Sequence, residues 1–183
     1  MIENNEAQPS NEAYETQEDL QKKLYFMNEQ LQLMVQDLPS KYQQRFPNEL
    51  LCGLAECLLD NTVFGIVEHL MDIQHCTEKQ LFRKRLRVTH DHCNRIKTMK
   101  EYPLPNEVKN LKLRVMNYRY KKKLRSCDKE IIKILDMKRK DQQNVLVSVG
   151  VPGFQVTDDP KKIQVQIRLL DFIFRLSQMK GKF

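Results

Sequence analysis

Few residues in this chain combine the types and spacings that chemistry needs. His75-Cys76 and His90-Asp91-His92-Cys93 place soft ligands close together. Structural zinc sites present CxxC or HxxxH pairs, usually on a turn, so that thiolate and imidazole converge on one tetrahedron. Here His90 and Cys93 fall within an unbroken helical pattern and no matching second pair exists, so they read as buried thiols and surface histidines. A nucleophilic cysteine would need a base steadied by a third group, usually on the loops of a rigid scaffold. There is no Gly-rich loop, nucleophile elbow or dinucleotide fingerprint, and Asp158-Asp159 is accounted for by capping ahead of Pro160. The sequence points away from an enzyme and calls for no metal and no cofactor.

The residues that remain are cationic. Phe82-Arg83-Lys84-Arg85-Leu86-Arg87 and Tyr118-Arg119-Tyr120-Lys121-Lys122-Lys123-Leu124-Arg125 interleave basic side chains with aromatic and aliphatic ones. The candidate surface is therefore Arg83, Lys84, Arg85, Arg87, Arg119, Lys121, Lys122, Lys123 and Arg125. Such clusters can neutralise phosphates and stack on bases, can form a solvated helix face or meet an acidic protein, and also match import signals. The reading favoured here is a solvated or acidic-protein-facing surface, with Tyr120 and Leu124 turned inward.

These clusters need long helices to hold them. Val63, Ile66, Val67, Leu70, Ile73, Leu81, Val88, Ile96 and Met99 lie on or near one stripe, predicting a helix over 61–102. Pro103-Leu104-Pro105 forbids its continuation, and Asn106 is placed to cap a second helix over 106–149. Its seam reads Tyr120, Leu124, Cys127, Ile131, Ile134, Lys138, Asp141, Val145, Ser148, at alternating fours and threes. Two long helices joined by a short turn are expected to fold back antiparallel as a coiled-coil-like hairpin.

Shorter elements surround this pair. Thr16 can cap a helix carrying Leu20, Leu24, Met27, Leu31, Met34 and Leu38, which Pro39 stops. Ser40 and Gln43 stand in capping-box spacing, and Pro47 suits the first position of a leucine-rich helix. Asp159-Pro160 opens a last helix over 160–180, with Ile163, Ile167, Leu170, Ile173, Phe174 and Leu176 as its stripe.

Composition agrees. Trp is absent, Gly numbers only five, and 30% of residues are charged, a balance that favours long helices over a sheet. Five cysteines without a signal peptide read as reduced thiols in the nucleus or cytoplasm. No run approaches the roughly 18 apolar residues that span a bilayer, so no membrane association is expected. The net charge of +7 conceals a dipole: residues 1–37 carry eight acids against two lysines, whereas residues 75–143 carry 21 basic residues against eight acids. Residues 1–15 have almost nothing to bury and are expected to be a disordered acidic tail before a single helical domain over 16–183.

Leu38-Pro39-Ser40-Lys41-Tyr42-Gln43-Gln44-Arg45, with Glu49-Leu50-Leu51, Leu58-Leu59, Thr62-Val63-Phe64, Ile66-Val67 and Ile73-Gln74-His75-Cys76-Thr77-Glu78-Lys79, resembles the gonadal protein family, to which the DiGeorge syndrome critical region protein six is related. Gly153-Phe154-Gln155-Val156-Thr157 and Pro160 look like a second shared block. The resemblance runs from about Leu38 to the C-terminus and is weaker between Arg95 and Lys129. It implies helical, coiled-coil-containing intracellular proteins, often nuclear, and carries over no site residue. The expectation is an all-α bundle, its short helices packed at one end of the hairpin, that binds a protein partner, acidic in character, or a second copy of itself. The alternative is a nuclear factor that binds nucleic acid.

Overall fold

A computed structural model describes residues 16–179; the tail expected over residues 1–15 lies outside them. The described residues form six helices and no strand: α1 (Gln17–Gln36), α2 (Ser40–Gln43), α3 (Asn48–Cys57), α4 (Thr62–Glu101), α5 (Asn106–Ser148) and α6 (Pro160–Ser177). The long helices end within a residue of their expected limits. At 1.5 Å per residue each reaches about 60 Å.

Local chemistry explains most of the boundaries. Thr16 and Asp19 close a capping box at the start of α1, and Asp159 accepts from the Lys161 backbone N–H at 2.9 Å, with Pro160 opening α6. Two expected caps are corrected. Asn106 lies inside α5, whose N-cap is Pro105 with no side-chain bond. Ser40 and Gln43 form no box, because Pro39 is the N-cap of α2; Gln43 instead reaches back and donates to the Leu38 and Gln36 carbonyls at 2.7 and 3.0 Å. It thereby satisfies acceptors that the end of α1 would leave open. Pro47 precedes α3 as its N-cap instead of opening it.

α5 ends in a Schellman motif: Gly150 takes φ +78°, its N–H reaches the Val147 carbonyl, and the Val151 N–H reaches the Leu146 carbonyl, both at 3.0 Å. Leu146 and Val151, the pair that such a motif brings into contact, are both buried in the core.

The core lies at one end of the long helices. Met27, Leu31 and Met34 of α1, Leu51, Leu54 and Ala55 of α3, and Leu169, Phe172, Ile173 and Leu176 of α6 close around Val63, Phe64 and Val67 at the start of α4 and Leu146 near the end of α5. The Phe172 ring meets that of Phe46 at 5.6 Å. Buried Lys23 donates to the Leu59 carbonyl at 2.7 Å, tying α1 to the segment between α3 and α4.

Beyond the core, α4 and α5 pack against each other along a thin seam in which Leu81 and Cys127 are the buried hydrophobic residues. Two expectations fail along it. Ile73 is half exposed, and Gln74 and Thr77 take the inward positions. On α5 the seam follows the expected residues as far as Lys138, then turns to Gln142, Gln143 and Leu146, leaving Asp141, Val145 and Ser148 exposed. A strict 3.5-residue repeat drifts about 20° per heptad on a 3.6-residue helix, so a step of four replaces the expected three.

The α6 stripe is also corrected. Its buried face is Gln166, Leu169, Phe172, Ile173 and Leu176, whereas Ile167 is 56% exposed and Phe174 37%. Leu169, Phe172, Ile173 and Leu176 enter the core on that face, and a polar network lets Gln166 be buried beside them: it accepts from the Gln143 side-chain amide at 2.7 Å and donates to the Gln155 carbonyl at 2.7 Å.

Asp158 ties the start of α6 back to α5. It accepts from Arg139 at 2.9 Å and pairs with Lys140 at 3.1 Å, and these hydrogen bonds, Arg139 first, hold its carboxyl below the ordinary value of 3.8. A carboxyl depressed in the folded state adds stability above its unfolded value and loses it as pH falls through the folded one. Asp158→Asn is therefore expected to flatten the fall of stability below about pH 4 without changing its neutral plateau's dependence on pH, as read by denaturant unfolding at stepped pH.

No single helix among the described residues is long and apolar enough to cross a membrane; α3 and α4 qualify only as a pair bent by 94°, and their apolar residues at that bend are the core just described.

Candidate interaction surface

The nine basic candidates separate into two groups. Lys84 pairs with Glu130 at 2.5 Å, Arg85 with Asp128 at 2.8 Å, and Lys123 with Asp91 at 3.9 Å, each contact joining α4 to α5. The hydrogen bond that Arg85 donates to Asp128 holds its guanidinium pKa above the ordinary value. Next to the last of these pairs, toward the turn, His92 stacks on Tyr120, ring centroids 4.0 Å apart and planes nearly parallel, and the Tyr120 hydroxyl donates to Thr89 at 3.4 Å. Tyr120 and Leu124 thus face the seam, as expected. Lys84, Arg85 and Lys123 serve as exposed staples, and such pairs add little to stability.

Arg83, Arg87, Arg119, Lys121, Lys122 and Arg125 form no ion pair among the described residues. Arg83 and Arg87 flank exposed Phe82 and Leu86 on α4. Lys121, Lys122 and Arg125 instead surround Tyr118, which is 70% exposed over a shallow trough of about 500 Å³ also bordered by Lys129.

Tyr118 belongs to a pattern that the sequence reading missed. Val108, Leu111, Val115 and Tyr118 are exposed and recur at three, four and three, and the same alternation continues through Lys122, Arg125 and Lys129 to exposed Ile132. At 100° per residue this row lies half a turn from the inward seam of Met116, Tyr120, Cys127 and Ile131. α5 carries two heptad rows on opposite faces. One is used within the chain; the other is apolar at its N-terminal end, basic in the middle, and open. The signal lay in the spacing upstream of Tyr120.

The thiol and imidazole clusters do not converge. His90 is exposed, as expected, but Cys76 and Cys93, expected to be buried, are exposed as well, because their positions on α4 face away from α5 and the core, and His92 is committed to Tyr120. No group of three or more potential metal ligands occurs among the described residues.

Comparison with known proteins places the chain. The family model described as "DiGeorge syndrome critical region 6 (DGCR6) protein" matches residues 4–183. The chain belongs to the DGCR6 family. This DGCR6-family chain is 41% identical over 166 residues to "Gonadal protein gdl" of Drosophila melanogaster, covering 90% of this chain and 85% of that one. It is 34% identical over 175 residues to "Protein DGCR6" of Gallus gallus, covering 88% of each. No solved structure matches the DGCR6-family chain.

Proposed function

We propose that this DGCR6-family protein is a non-enzymatic interaction protein acting in the nucleus or cytoplasm, in which α4 and α5 form an antiparallel coiled-coil hairpin whose outward row receives a protein partner. The contacts between the two helices support the hairpin: Leu70 meets Gln142, Arg85 meets Asp128, His92 meets Tyr120 and Lys100 meets Lys109, the number falling on one helix as it rises on the other. The observation that carries the function is the open row on α5. A row of apolar anchors at three and four spacing, continued by unpaired cations, is the complement of an amphipathic helix with acidic flanks.

The second reading is a nucleic-acid factor, favoured by Tyr118 standing exposed among Lys121, Lys122 and Arg125. One titration separates the two. A fluorescent leucine/glutamate helical peptide, nonspecific duplex DNA and single-stranded RNA are each titrated with the full chain from low to physiological salt. The peptide is expected to bind, and Leu111→Lys and Tyr118→Lys to weaken it about tenfold each, near 1.4 kcal/mol, with folding unchanged by circular dichroism. Tight binding to DNA or RNA that collapses across that salt range would overturn the protein-partner reading.

A further inference from the structure

We propose that the groove between α4, α5 and α6 is a second docking site, of opposite character, for a basic amphipathic helix of a partner protein. The α6 face that the core leaves open borders it. Ile167, Leu170 and Phe174 of α6, Met71 of α4 and Leu135 of α5 give a largely apolar floor to a space of about 540 Å³. Ile167, Phe174 and Met71 are 56%, 37% and 40% exposed, so the described residues leave this surface open.

Charge identifies the occupant. Glu78, Asp136 and Asp171 stand at the groove, one from each helix. The cation among them, Arg139, is engaged by Asp158 at 2.9 Å and by Asp136 at 3.5 Å, and among the described residues Glu78 and Asp171 form no ion pair. A chain of net charge +7 thus presents a locally acidic rim around its apolar groove. That rim would repel the same groove on a second copy and attract lysines and arginines flanking an apolar stripe. Length sets the form: residues 71–78, 135–142 and 167–174 border the groove, each spanning about 10 Å or two helical turns. Apolar anchors at i, i+3 or i+4, and i+7 of a partner helix match that span.

The test uses the full chain and a fluorescent leucine/lysine helical peptide a few turns long, followed by anisotropy. The peptide is expected to bind, Ile167→Lys and Asp171→Lys each to weaken it about tenfold or more, and Leu111→Lys on the outer row of α5 to leave it unchanged. Ile167 and Asp171 are exposed, and circular dichroism and thermal unfolding check that both variants fold. The leucine/glutamate peptide should show the reverse dependence, so failure at the groove and failure at the α5 row are read separately. Absence of binding, or binding indifferent to Ile167→Lys and Asp171→Lys, overturns the proposal. So does concentration-dependent self-association in sedimentation that Ile167→Lys abolishes, because the occupant would then be a second copy.

Discussion

Gly153→Ala is expected to cost about 2–5 kcal/mol of stability, and the same change at Gly150 only about 1–2 kcal/mol. Both glycines have positive φ, +83° and +78°, where an L side chain meets its own backbone, and that cost is common to the two. The difference is space. A Cβ on Gly153 would lie 2.6 Å from Leu169 Cδ1 and 2.9 Å from Leu50 Cδ1, whereas one on Gly150 meets nothing within 4 Å. Leu50 is only half buried and can turn away, but Leu169 is fully buried in a close-packed core and has no free space to turn into. Overpacking of that kind adds about 1–3 kcal/mol to the backbone term. Denaturant unfolding of the two variants gives the comparison directly, as a fall in midpoint at constant slope. Equal losses at the two positions would mean that the Leu169 contact is not tight.

What the amino-acid sequence discloses, and what it conceals, follows from which forces act locally. The prolines at 39, 47, 103, 105 and 160 and the strong apolar stripes of α1 and α3 are local signals, and the helices form where those signals place them. α6 is different. It has apolar residues on two faces, Leu169, Phe172, Ile173 and Leu176 on one and Ile163, Ile167, Leu170 and Phe174 on the other, so hydropathy alone cannot choose between them. The shape of the core chooses the first, and the burial of Gln166 on that face depends on partners at positions 143 and 155 that only the folded chain brings near. The candidate basic surface divides in the same way. Composition shows where the cations are but not that Lys84, Arg85 and Lys123 find carboxylates across the seam while Lys121, Lys122 and Arg125 find none among the described residues.

The two faces of α5 make the point more sharply. A heptad row beginning at Val108 and another passing through Tyr120 are equally regular in spacing, and each offers apolar residues. α4 can cover only one of them. It covers the row whose partners on α4 include Leu81, Val88, Thr89 and His92, and leaves the other exposed. Regularity that intrachain packing does not consume is the physical basis for reading this helix as an interaction element.

Gln143→Leu is expected to cost about 2–4 kcal/mol, more than its loss of a single side-chain contact would suggest. Gln143 is 3% exposed; its oxygen accepts from the Thr157 backbone N–H at 3.2 Å, and its amide donates to Gln166 at 2.7 Å. Removing it strands a half-buried N–H and a buried amide oxygen, and each unmet group costs about 1–3 kcal/mol. Gln166→Leu alone should likewise leave one N–H of the Gln143 amide unmet, the amide keeping its bond to the Thr157 carbonyl at 3.3 Å. In the double variant that mutual loss is counted once, so the two changes together should cost less than their sum, with a coupling of about 0.5–3 kcal/mol measurable by a double-mutant cycle. The consequence reaches the surface. Gln166 holds one face of α6 inward and so keeps Ile167 and Phe174 outward, beside Glu78 and Asp136. With leucine at 143, one polar restraint on the angle of α6 is gone, and although Leu169, Phe172, Ile173 and Leu176 still hold it on the core, the helix can shift enough to misplace Ile167 and Phe174 within the groove. The leucine/lysine peptide should then bind more weakly to Gln143→Leu even at temperatures where the variant remains folded. Undiminished peptide binding by a folded but destabilised Gln143→Leu protein would separate the stability of the network from the orientation of α6 and remove the network's role in shaping the groove.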